Sequence, residues 1–191
     1  MFFRGLLVVF FIIIHRPVIA TDYGYPKIAY KILLIGDSHV NGIGARLKSI
    51  LPKEVQFKYK GVNGTSIRNW VHVAKDVIKP EAPDMVLISL GTNDAVLDDP
   101  NAEVKDLYKL IDNIQSQGIL VVWITPPDLS RKLSRLGLVR MMISDSGVTM
   151  MDFRNLLVPL CDDLVHPTPK GYDIWSDRVY RMLMPLLKIK T

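Results

Sequence analysis

The chain has one cysteine, Cys161, in 191 residues, so no intramolecular disulfide can staple it and stability must come from packing. From about residue 28 onward it has no Gly/Ser linker, block of like charge, internal repeat or low-complexity tract, and so nothing marks an internal boundary. It has no apolar run near the roughly 20 residues that cross a bilayer comfortably. The acidic residues and histidines show no metal-ligand spacing, and no metal is expected. Gly42-Ile43-Gly44 does not complete a dinucleotide fingerprint, because Leu47 replaces the third glycine and the register after the preceding strand is wrong; no nucleotide cofactor is expected. Gly-x-Ser-x-Gly, the nucleophile elbow of α/β-hydrolases, is also missing, since Val40 stands at its last glycine.

What is present is enough hydrophobic sequence, 49%, for one domain with a sizeable core. At the start, Arg4 precedes the apolar run Leu6 to Ile14, and Val18-Ile19-Ala20 offers a small-residue cleavage site. Residues 1–20 therefore read as a secretory signal peptide, with an uncleaved N-terminal anchor as the alternative, and residues 21–191 as a single domain. Both readings place that domain outside the cytoplasm, secreted or periplasmic. Removing residues 1–20 takes away two arginines and no acids, which lowers the formal charge from +5 to +3. So small a bias gives no reason to expect a nucleic-acid partner. Membrane contact is expected only through an uncleaved N-terminal segment, and the protein is expected to be a monomer.

Short continuous apolar runs, Lys31 to Ile35, Asp84 to Leu90 and Ile119 to Ile124, have the character of strands buried on both faces. Val55 to Tyr59 and Val148 to Phe153 are two further strands. Between them the pattern turns helical over Ile43 to Leu51, Ser66 to Lys79, Ala102 to Gln117 and Arg131 to Ile143, and a last amphipathic helix runs from Pro169 to Leu187. This alternation predicts a three-layer α/β/α sandwich on a parallel sheet. In such sheets ligands bind beyond the carboxyl ends of the strands. Three polar blocks fall there: Gly36-Asp37-Ser38, Gly91-Thr92-Asn93-Asp94 and Asp163-Leu164-Val165-His166-Pro167. Together they supply a hydroxyl, an amide donor and an Asp/His pair, the parts that acyl transfer through serine requires.

These blocks, with Gly61-Val62-Asn63-Gly64 as a fourth, resemble the SGNH, or GDSL, hydrolase superfamily. The resemblance spans residues 36 to 167. It departs from the family after the serine, where Leu is frequent and His39 stands here. It implies a flavodoxin-like sheet of five strands in the order 2-1-3-4-5, and it makes Ser38 the nucleophile and His166 the base. Asp163 is then the orienting carboxylate, selected over Asp162 by the family spacing. The backbone N–H groups of Ser38 and Gly64 and the side-chain amide of Asn93 form the oxyanion hole.

Each residue also has an ordinary structural reading. Ser38 would serve as a helix N-cap in any such strand-to-helix turn. Asp94 is expected to cap the segment that follows it, His39 to face away or pack into the first helix, and Cys161 to be a small buried residue near the site. Trp70, Trp123 and Trp175 are expected in the core. Asn63-Gly64-Thr65 matches the glycosylation sequon, but a glycan there would obstruct the hole, and it is read as unmodified.

The function expected is an exported serine esterase, with O-acetyl groups on envelope or extracellular glycans as one substrate class. The short stretch Thr125 to Ser130 after the fourth strand leaves no obvious lid for long acyl chains. Alternatives with the same residues are a lysophospholipase or thioesterase, a glycan O-acyltransferase and a non-catalytic glycan-binding protein.

Overall fold

The computed structural model describes residues 30–97, 99–129, 133 and 135–187. Residues 1–20, read above as a signal peptide, lie outside them. Five strands, β1 (Tyr30–Gly36), β2 (Val55–Gly61), β3 (Met85–Ser89), β4 (Leu120–Ile124) and β5 (Thr149–Met151), form one sheet in the order β2-β1-β3-β4-β5. Every neighbouring pair is parallel. Among the described residues five α-helices accompany it: α1 (His39–Ile50), α2 (Ile67–Ile78), α3 (Val104–Gln115), α4 (Leu136–Asp145) and α5 (Pro169–Leu183). Among the described residues no helix is long and apolar enough to cross a membrane.

Alternation along the strands divides the core in two. Leu33, Ile35, Val86, Ile88, Val121 and Trp123 face one way, into a cluster completed by α2, α3 and α4. Ile32, Leu34, Met85, Leu87, Val122 and Ile124 face the other way, against α1 and α5. A strand buried on both faces needs apolar residues at every position, which explains the unbroken runs in the sequence. Burying one such side chain contributes about 1.5–3 kcal/mol. Trp70, Trp123 and Trp175 are all fully buried, as expected.

Several boundaries differ from the sequence reading: α4 covers Leu136–Asp145 where Arg131 to Ile143 was expected, α3 is shorter than expected, and three further shifts have a visible cause. Helix α1 starts at His39, four residues before the expected Ile43, although Asn41, Gly42 and Gly44 are weak helix formers. Packing overrides propensity here: a Cβ at Gly42 would lie 2.5 Å from the Tyr172 ring, and one at Gly44 would lie 2.4 Å from that of Tyr59. Strand β5 stops at Met151 because Phe153 N–H turns to the Thr125 hydroxyl, at 3.0 Å, in place of a ladder carbonyl. Helix α5 gives way to a 3₁₀ turn over Met184–Leu187, where Pro185 has no N–H to continue the α-helical ladder.

Candidate active site

Strand β1 ends at Gly36, which pairs with Gly61 of β2 and Ser89 of β3. Its φ is +149°, and a Cβ would stand 1.9 Å from the Ser89 carbonyl oxygen, so only glycine fits so close an approach. Two residues later the chain is helical. Ser38 has helical backbone angles and makes no side-chain capping bond; its hydroxyl lies 2.8 Å from His166 Nε2 instead.

His166 stands on the connection between β5 and α5. Its Nδ1 lies 2.6 Å from Asp163 Oδ2, while Asp163 Oδ1 accepts from the backbone N–H groups of Val165 and His166, each at 2.9 Å. These bonds, the backbone amide of His166 first, hold the Asp163 carboxyl far below the usual carboxylate range. An ionised carboxylate only accepts, so Nδ1 carries a proton towards Asp163, and in the neutral ring Nε2 is then the lone-pair nitrogen facing Ser38. Leu164 turns the chain at φ +59°, a conformation leucine rarely adopts. The loop closes on itself: Leu160 bridges Pro167, Cys161 N–H donates to the His166 carbonyl at 2.8 Å, and Thr168 N–H donates to the Pro159 carbonyl at 2.9 Å. Asp162 is exposed to solvent.

A second set of bonds gathers the turn after β2 beside the end of β1. Val62 N–H donates to the Gly36 carbonyl at 2.9 Å, the Thr65 hydroxyl donates to the Val62 carbonyl at 2.7 Å, and Trp70 Nε1 donates to that hydroxyl at 3.0 Å. Gly64 occupies the exposed tip of this turn at φ +72°, with open space where a side chain would be. Asn93, just past β3, donates from Nδ2 to the Thr65 carbonyl at 2.9 Å and lies 3.5 Å from Asp37 Oδ2. The amide therefore ties the ends of β1 and β3 to the turn after β2.

Three expectations need correction. Asp94 is fully buried and caps α2, not the segment after itself: Oδ1 accepts Ile67 N–H at 3.0 Å, and burial raises the carboxyl to about 6. His39 does not face away. It reaches across to α5, with Nδ1 3.1 Å from the Tyr172 hydroxyl and ring centroids 5.4 Å from Trp175 and 5.3 Å from His166. Burial, and then the charge of His166, push it down to about 3, so it is neutral at physiological pH. Cys161 is exposed, with its thiol 3.6 Å from the Pro167 carbonyl oxygen of the same loop.

A sequence profile of the GDSL-like lipase/acylhydrolase family matches residues 34–174. The chain belongs to that family. This GDSL-family chain is accordingly a hydrolase of ester bonds, and its sheet has the family's fold. A lipase/acylhydrolase from Enterococcus faecalis superposes with a TM-score of 0.66 at 22% identity, over 85% of this chain and 99% of that one. An esterase from Pseudoalteromonas sp. gives 0.67 at 17% identity, over 84% of this chain and 100% of the other. An acetylxylan esterase from Geobacillus stearothermophilus gives 0.64 at 18% identity, over 86% and 98%. No protein of curated function matches the chain by sequence. Among the described residues of this GDSL hydrolase, no group of three His, Cys, Asp or Glu side chains is placed to hold a metal ion.

Proposed function

We propose that this hydrolase works through an acyl-serine intermediate formed on Ser38. The observation that carries the reading is the unbroken bond chain from the Ser38 hydroxyl to His166 and on to Asp163, at 2.8 Å and 2.6 Å. His166 Nε2 takes the hydroxyl proton as Oγ attacks the ester carbonyl, and Asp163 balances the imidazolium. The imidazolium then returns the proton to the leaving alcohol. Water, deprotonated by the same nitrogen, releases the acid and restores Ser38. Ser38 N–H, Gly64 N–H and the Asn93 amide hold the oxyanion. Asn93→Ala is expected to lower kcat about 100-fold to 1,000-fold with a much smaller change in KM, the pattern of a group that acts in the transition state. A raised KM at unchanged kcat would make Asn93 a substrate-binding residue instead.

The substrate we favour is a short acyl ester on an extracellular or envelope glycan, with export directed by residues 1–20. Support comes from the apolar N-terminal run and from the acetylxylan esterase among the structural neighbours. A lysophospholipase or thioesterase is the second reading, supported by two exposed leucines on the loop that carries His166, Leu157 at 83% and Leu164 at 47% exposure. Hydrolysis of esters from two to sixteen carbons separates the readings. Activity concentrated on acetyl esters is expected, and a preference for long chains would reverse the assignment.

A further inference from the structure

Asp37, directly before Ser38, is a carboxyl without a counter-charge. It is 1% exposed, and among the described residues no Lys or Arg pairs with it. Its Oδ1 accepts His39 N–H at 3.0 Å, and its Oδ2 lies 3.5 Å from Asn93 Nδ2. The Asn93 amide has two hydrogens. One is committed to the Thr65 carbonyl at 2.9 Å, so the other is shared between Asp37 and whatever Asn93 binds beside Ser38.

We propose that Asp37 is a positioning residue that acts through Asn93: as a neutral acid it leaves the second amide hydrogen to the substrate oxyanion, and as a carboxylate it draws that hydrogen away. The inference rests on the oxyanion role given to Asn93 above. Its chemistry follows from charge. A carboxylate is a much stronger acceptor than a carboxylic acid and competes for the amide hydrogen accordingly. Burial favours the neutral form, and together with the nearby Asp94 it raises Asp37 to about 7.

The titratable groups around Asp37 are Asp94 after β3, His39 on α1 and Tyr172 on α5, with His166 on the far side of Ser38. His39 stays neutral through this range, and burial moves the Tyr172 hydroxyl upward, out of it. Asp94, at about 6, is the competing source of a pH effect.

The test is kcat and KM of the full chain across pH 6 to 9 on a short acyl ester. Wild-type kcat/KM is expected to fall above about pH 7, approaching tenfold per unit, as Asp37 loses its proton. Asp37→Asn keeps an acceptor for His39 N–H and cannot ionise, and it is expected to abolish this alkaline fall. The Asn93→Ala enzyme, measured on its residual activity, is expected to lose the fall too, which keeps the proposal testable should Asp37→Asn fail to fold. A fall that persists unchanged in either variant, or that disappears in Asp94→Asn but not in Asp37→Asn, overturns the proposal. So does a wild-type profile that stays flat up to pH 9. Fluorophosphonate labelling of Ser38 reports separately on the acyl-serine reading: labelled Ser38 with an unaltered alkaline fall in Asp37→Asn refutes the Asp37 proposal alone.

Discussion

Ser38→Ala is expected to reduce ester hydrolysis by about 10,000-fold or more and to abolish fluorophosphonate labelling, with the circular dichroism spectrum and melting temperature almost unchanged. The chemistry requires the large effect, because no other hydroxyl in the described structure is bonded to His166. The fold predicts the small one, since the hydroxyl makes no capping bond to α1 and its removal leaves no buried group unpaired. Labelling of the Ser38→Ala protein at the wild-type rate would place the nucleophile elsewhere.

The second large effect is expected at Asp163, the carboxylate that the proposed mechanism places behind His166. Asp163→Asn should lower kcat at least about 100-fold, because an amide facing Nδ1 favours the wrong imidazole tautomer and cannot balance the imidazolium. Asp162→Asn should remain within about twofold, as its side chain is exposed and outside the bond chain. Both variants are to be compared at the wild-type pH optimum with folding checked by circular dichroism; an inactive, folded Asp162→Asn beside a fully active Asp163→Asn would exchange the two roles. The Asp163 carboxyl is held far below its ordinary value, so it stays ionised across the neutral range and contributes no limb to the activity profile there. Its bonds favour the folded state at neutral pH, and that contribution is lost as acid protonates the group. Asp37 has the opposite sign: its carboxyl is raised, so the fold loses stability as pH climbs from its ordinary value of 3.8 to about 7.

Much of this architecture was legible in the sequence. A strand covered on both faces needs apolar residues at each position, so Leu33, Leu34 and Ile35 announce β1 without ambiguity. The strand order came from the family resemblance, because nothing in an apolar run says which neighbour it pairs with. Less legible was whatever depends on distant partners. The early start of α1 requires the Tyr59 and Tyr172 rings that lie over its glycines. The capping of α2 by Asp94 crosses from one strand end to another, and a local rule assigns Asp94 to the segment beside it. In the site, the Asp-x-x-His spacing led to the observed Asp163–His166 bond because both residues lie on one short loop. Asp37, Thr65 and Tyr172 were missed as partners, since each meets its counterpart only after the sheet has formed; the one sequence signal was the position of Asp37 beside Ser38.

The loop from Leu160 to Pro167 is closed by its own bonds, whereas Ser38 stands on the first turn beyond a fully buried strand. The two halves of the bond chain thus stand on separately held regions, and a local opening of the loop alone would part them. A molecule whose loop has opened is still folded by every global measure, yet its Ser38 hydroxyl has lost the His166 ring. Catalytic competence and foldedness are then separate populations, and on warming the first is free to decline while the second stays whole.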